Sequence, residues 1–238
     1  MIAARQAVSY AVPYDQIITG VLHGFGTQSI GPVPVGMPGH FDDLPKYTYD
    51  MNKAKQLLAQ AGYPNGGFKV LLTYLTGDTR EEGTAEMIKA SLKDLNIDLE
   101  IRAMTWNEQW SAAGNGGQVD PSKAQDIFVM YWWPTLLSPY DFLVNMFHSE
   151  SSIVFNLGYY YHPEFDSLID QAYGLEGSDK AQAFSMYHQA QKMLVDNAVS
   201  LFLWDLQDIH LVRSNISGFR YDPAYTTVVF FYFLHSTG

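Results

Sequence analysis

Segments of helical and strand period alternate along this chain, which predicts a mixed α/β and α+β domain with a mixed sheet flanked by helices. Three observations carry that prediction. Ile97, Leu99 and Ile101 alternate with Asp98, Glu100 and Arg102, the period of a half-buried strand. Ala85, Ile88, Leu92 and Leu95 recur at helical spacing in residues 80–95, as do Phe184, Tyr187, Ala190, Gln191 and Leu194 in residues 178–197. The short apolar run beginning at Asp126 reads as a buried strand that breaks at Trp132-Trp133-Pro134, where proline stops a sheet ladder.

The elements follow in order. Residues 2–11 and 13–23 read as two helices separated by Val12-Pro13-Tyr14-Asp15, with proline opening the second. A loop rich in Gly and Pro then runs to about Tyr49; its stretch 31–39 either lines a ligand groove or is a structural strap. Asp50 is placed to cap a helix that stops at Gly62, just before Pro64. Phe68 to Thr76 reads as a strand, 80–95 as a helix and Ile97 to Ala103 as a strand. Thr105 caps a short helix to Ala113, whose Trp106 and Trp110 are expected in the core, as is Tyr131 unless it reaches the ligand. Gly114-Asn115-Gly116-Gly117 begins a surface loop, and a strand follows at 126–132. Helices are expected at 138–148, 162–173 and 178–197, and strands at Leu201–Trp204 and Ile209–Arg213. The tail from Thr226 to Leu234 has strong strand composition.

Composition narrows the function. The chain has 238 residues, 15% of them aromatic, so both a sizeable core and aromatic binding surfaces are within reach. A net charge of −11 argues against nucleic-acid binding. The absence of cysteine removes disulfides, thiolate nucleophiles and Cys-ligated metals. No run of 18 or more apolar residues suggests a membrane-spanning helix. Met1-Ile2-Ala3-Ala4-Arg5-Gln6 reads as the inside of an amphipathic helix and not as a signal peptide, so the chain is expected to be part of a larger protein.

The candidate site lies where the strand at 126–132 hands over to a loop and then to the helix opened by Ser138-Pro139, because open α/β sheets bind ligands beyond their strand ends. Tyr131, Trp132, Trp133 and Thr135 are the residues there. Strand alternation points one indole to the cleft and the other to the core. Asn156 is a further candidate, either hydrogen-bonding a ligand or holding a loop. Tyr159-Tyr160-Tyr161 either edges the cleft or packs its loop on a helix, and Trp204 is read as hinge packing. Enzyme signals are poor: there is no Gly-x-Ser-x-Gly elbow, and Gly24-Phe25-Gly26 follows a helix instead of a strand. The histidines lack metal-ligand spacing, and His40 with Asp42 and Asp43 reads as a solvated loop, so neither a metal nor a cofactor is expected.

Four segments resemble the family 5 extracellular solute-binding proteins of bacterial ABC importers, the dipeptide- and oligopeptide-binding type. They are Arg5 to Ile18; Tyr49-Asp50 through Leu57-Leu58 to Ala61-Gly62-Tyr63-Pro64; Tyr131-Trp132-Trp133-Pro134 to Asp141-Phe142-Leu143; and Asn156 to His162-Pro163-Glu164-Phe165-Asp166 and Ala172. They occur in the family's order and cover nearly the whole chain. The resemblance implies the C-terminal lobe of a two-lobed periplasmic-binding-protein-like fold, with residues 1–215 as the ligand-binding lobe and 216–238 as a segment returning toward the other lobe. It implies a non-enzymatic binding protein, periplasmic or cell-surface, that delivers an oligopeptide or related solute to ABC permease subunits. Peptide binders of the family often place an aspartate two residues beyond the position of Trp133, to meet the ligand's ammonium group. Thr135 stands there instead, which keeps an oligosaccharide ligand open. From another class, a hydrolase using convergent carboxylates is the alternative. The uncharged tail from Val228 to Leu234 is expected to make the chain self-associate.

Overall fold

Capping residues set most helix starts. In the computed structural model, which describes residues 2–114, 120, 122–151, 153–222, 225 and 228–236, the Asp50 carboxylate accepts from Lys53 N and opens α3 (Met51–Gln60). Asp78 opens α4 (Thr79–Leu92) by accepting from the N–H groups of Arg80 and Glu81. Thr105 forms a reciprocal capping box with Glu108 at α5 (Trp106–Ala112). Ser138, with Pro139 at the first position, opens α6 (Pro139–Phe147). His162 and Asp179 do the same for α7 (Pro163–Leu175) and α8 (Lys180–Asp196). α1 (Ile2–Ala11) and α2 (Tyr14–Gly20) precede them.

The main sheet is parallel, with strand order β3-β2-β4. β2 (Phe68–Leu75) lies in the middle and pairs along its full length with β3 (Ile97–Met104), from Phe68↔Ile97 to Leu75↔Met104. On its other side it meets β4 (Ile127–Phe128) at Leu72↔Ile127 and Thr73↔Phe128. The chain therefore leaves β2 toward one side and returns on the other, so the strand order reverses between β2 and β4. Gly66, at φ +60, is needed where the turn before β2 meets the turn before β3: a Cβ there would lie 2.0 Å from the Leu95 carbonyl oxygen.

Two cores result. Helices α1 to α4 and the sheet bury Ile17, Leu58, Leu72, Ile88, Ile97 and Leu99. Helices α6 to α8 bury Leu143, Phe165, Ile169, Tyr187 and Leu194. Arg5 of α1 joins them by donating to the Asn197 and Ala198 carbonyls at 2.9–3.1 Å, the favoured place for a cation at the end of α8. The Gly-Pro stretch is a strap. Its Val33 and Met37 are buried against Phe142, and Trp132 packs on that cluster. Asp205 holds the strap by accepting from Ser29 Oγ and Val35 N.

Some expected strands are absent or shorter. The strand expected at 126–132 is only β4, because the Asp126 carboxylate takes the Leu71 N–H and the chain turns away after Val129 N bonds the Thr73 carbonyl. The strand expected at Leu201–Trp204 has no ladder partner. Leu201, Leu203 and Trp204 pack on the first core and Phe202 on the second. The strand proper is β5 (Asp205–Leu206), antiparallel to β1 (Gly26–Thr27). Residues 209–213 form no ladder and are exposed. In the tail, Phe231–Phe233 is a 3₁₀ turn, and β7 (His235–Ser236) pairs with β6 (Ile216–Ser217). Residues 226 and 227 of the expected tail strand, and 115–117 of the expected surface loop, lie outside the described residues.

Candidate ligand-binding site

The three parallel strands deliver their C-terminal loops to one end of the sheet. The loop after β2 carries Asp78 and Arg80, the loop after β3 leads to Trp106 and Trp110, and the chain after β4 carries Tyr131, Trp132 and Trp133. Between the segments after β3 and β4, with Phe155, lies a cavity of about 520 Å³. Its wall is Trp106, Trp110, Tyr131, Trp132, Trp133 and Phe155, with Asn107, Ser111 and Met130, and carries no charged side chain. The rings support one another mostly edge to face: Trp106 with Trp110 at 5.0 Å, Trp110 with Phe155 at 6.0 Å and Phe155 with Trp132 at 5.1 Å. Tyr131 and Trp133 are tilted against each other at 5.5 Å. Trp110 Nε1 donates to the Val154 carbonyl at 2.5 Å, which fixes that indole. The shape and chemistry of such a wall suit stacking on a flat or apolar group.

The two adjacent indoles divide by the alternation of an extended chain. Trp133 is 49% exposed. Trp132 is half-buried against the strap, and its Nε1, like the Tyr131 hydroxyl, is buried without a hydrogen-bond partner among the described residues. Burial first, then the Asp78 charge, pushes the Tyr131 phenol up, so it stays a neutral donor. The Arg80 guanidinium lies 5.6 Å from the centre of the Tyr131 ring. Trp204 meets the same ring edge-on at 6.2 Å.

Thr135 is not a free hydroxyl. Its N–H and Oγ1 donate to the two oxygens of Asp141 at 3.0 and 2.7 Å, and Asp141 is 4% exposed in the first turn of α6. Asn156 is fully buried and spent on its own loop. It donates to the His148 and Tyr160 carbonyls and accepts from Tyr160 N, so it shapes the loop that carries Phe155 and does not present its amide to the cavity. Of the tyrosine triplet, Tyr159 donates to the Ala113 carbonyl, Tyr160 packs on Phe165, and Tyr161 is exposed. His40 bonds the Val33 carbonyl and Asp42, as part of the strap.

Trp106 and Trp110 correct the sequence reading. They are cavity wall, only partly buried, and not core. Phe155 also lines the cavity without a local sequence signal, whereas Arg80 and Asp141 lie behind it, against Tyr131 and Thr135. The rule that pointed to the loop after β4 applies equally to the loops after β2 and β3, once those strands are known to be parallel neighbours.

The sequence profile of the bacterial extracellular solute-binding proteins, family 5, middle portion, matches residues 1–153, more than half of the chain. The chain belongs to this family. It is similar to the dipeptide-binding protein of Escherichia coli (strain K12), with 29% identity over 227 residues, 93% of this chain and 41% of that protein. Heme-binding protein A of Haemophilus influenzae is 30% identical over 200 residues, 83% of this chain and 35% of that protein. A periplasmic binding protein of Helicobacter pylori, solved in complex with the peptide STSA, matches with a TM-score of 0.79 at 26% identity, over 100% of this chain and 44% of that one. The family 5 chain thus spans about two fifths of the length of these relatives. They are solute-binding transport proteins and not enzymes, of a family that works outside the cytoplasm. Among the described residues no helix is long and apolar enough to cross a membrane.

Proposed function

We propose that this chain forms the aromatic half of a two-lobed cleft in the substrate-binding component of an ABC importer, which binds a peptide and presents it to the permease subunits outside the cytoplasm. The observation that carries the reading is the uncharged aromatic cavity at the end of the parallel strands. Its role is binding: the wall offers aromatic faces on which a ligand can stack. The carboxylates flanking the aromatic loop in sequence are committed, Asp126 to the Leu71 N–H at 2.8 Å and Asp141 to Thr135. The carbohydrate alternative starts from Thr135 standing where an aspartate is common and from stacking on aromatic faces, and the dipeptide- and peptide-binding relatives favour the peptide over it. A peptide held by both lobes shifts the open–closed equilibrium through its greater affinity for the closed form.

Native mass spectrometry of the complete protein, purified gently from its host, tests the ligand class. Mass increments of mixed short peptides are expected, and hexose increments would overturn the peptide reading. Trp133→Ala tests the site: the indole is exposed, so the fold should persist while peptide affinity drops about ten-fold or more. Undiminished affinity would remove the cavity from the binding surface.

A further inference from the structure

The aromatic wall depends on a backbone segment that apolar packing does not hold. Phe155 reaches the cavity from the loop between α6 and α7. Its ring meets Trp110 at 6.0 Å and Trp132 at 5.1 Å, so it bridges the two indoles. Val154, just before it, accepts the Trp110 indole N–H on its carbonyl at 2.5 Å. The backbone at 154–155 therefore sets both the place of Phe155 and the orientation of Trp110. Yet Val154 is 45% exposed and Phe155 is only half-buried. What holds this backbone is a carboxylate. Glu150 Oε2 accepts from Val154 N at 2.6 Å and from Asn156 N at 3.3 Å, and Oε1 accepts from Phe155 N at 3.4 Å. Three consecutive N–H groups turned to one anion make a concavity suited to negative charge, and charged acceptors bond more strongly than neutral ones. Among the described residues Glu150 forms no ion pair, and it does not line the cavity.

A half-buried carboxylate without a cation, turned on the three N–H groups that place two wall residues, is explained by the shape of the site. The rest of the loop is fixed separately, by Asn156 donating to the His148 and Tyr160 carbonyls. We propose that Glu150 is a positioning residue of the ligand site: its carboxylate fixes residues 154–156 and, through them, the Trp110 indole and the Phe155 ring. A cavity selects by shape only while its walls are held to within about 0.5 Å. With the walls held, it accepts the ring of a peptide side chain through stacked and edge contacts. Without Glu150, three backbone donors turn to water, the Val154 carbonyl leaves Trp110, and the ring-shaped space is lost. A methyl side chain does not fill that space and does not register the change.

This inference rests on the peptide reading, and the test separates the two. The complete protein is titrated calorimetrically with trityrosine and trialanine, in the wild type, Glu150→Ala and Glu150→Gln. The wild type is expected to bind trityrosine about ten-fold more tightly than trialanine. Glu150→Ala should remove most of that preference while leaving the trialanine affinity and the melting temperature unchanged. Glu150→Gln keeps one acceptor oxygen and should restore part of the preference. A second readout needs no ligand: the tryptophan emission of Glu150→Ala should shift to longer wavelength, because Trp110 loses its acceptor and gains water. No preference in the wild type, a preference unchanged in Glu150→Ala, or an equal loss of both affinities with a lowered melting temperature would overturn the positioning role and leave the peptide reading standing. Binding of neither peptide by the wild type would overturn the peptide reading. The emission would then decide the role of Glu150 alone, a shift supporting it and an unshifted spectrum overturning it.

Discussion

Glu81 and Asp141 show how differently two buried carboxylates are held. Asp141 receives two donors from Thr135, both oxygens being used. Glu81 is fully buried and receives one donor, from Leu75 N, while its other oxygen has no partner among the described residues. Desolvation therefore dominates, and burial raises its pKa from 4.5 to about 7. A carboxyl group raised by folding contributes stability that is fully present below about pH 4.5 and is lost as pH rises through about 7. The loss is up to about 3 kcal/mol. Glu81→Gln keeps an acceptor for the Leu75 N–H but cannot ionise. Urea unfolding from pH 4.5 to 8 should show wild type losing stability relative to Glu81→Gln, and parallel curves would refute the assignment. The sequence shows Glu81-Glu82 only as acidic residues favoured at a helix start. The burial of one of them depends on how α4 lies on β2, which no local pattern states.

At the level of elements, legibility tracks how local the determinant is. Asp50, Thr105 and Ser138 act on donors two or three residues away, and the helices they start are those expected. β3 announces itself because half-burial imposes a period on it, whereas β2, central and buried at three consecutive residues, shows only an apolar run. β4 is two residues long because its neighbours bond the sheet through the Asp126 side chain, a choice invisible in an apolar run. The strap is similar. Its glycines and prolines mark an irregular segment, but its position behind Trp132 is a tertiary fact. Gly39 measures how tightly it is held: at φ +82, an added Cβ would sit 2.2 Å from Pro139 Cγ, at the start of α6. Gly36 has a similar φ of +86 and nothing within 4 Å. Gly36→Ala should cost about 1 kcal/mol of backbone strain. Gly39→Ala should cost about 2 kcal/mol more, because it must also displace Pro139. Thermal melts of the two variants check this, and equal losses would mean that the strap is not clamped at Pro139.

On the scale of the whole molecule, the two cores are well enclosed but the segment beyond Trp204 is not. Leu211 is 97% exposed, Tyr232 93% and Phe231 77%, with Ile209, Tyr221 and Tyr225 also exposed. Its ladders are the two-residue pairs β1–β5 and β6–β7, too few to hold a sheet face alone. The sequence gives the strand composition of this tail but no partner, and strand propensity is realised only against a neighbour. The division into a lobe at 1–215 and a return segment at 216–238 is proposed on this ground: in the complete protein the segment would pack against the other lobe. Left uncovered, so much aromatic surface favours association over solvation. The chain by itself is therefore expected to self-associate through residues 209–232. Sedimentation velocity across a concentration series should show the weight-average mass rising above that of one chain. Phe231→Asp with Tyr232→Asp should lower it, since those exposed rings support no core and a charge there resists burial in a contact. A concentration-independent monomer would mean that the segment is held by its own short ribbons, and would remove the argument for a separate return segment.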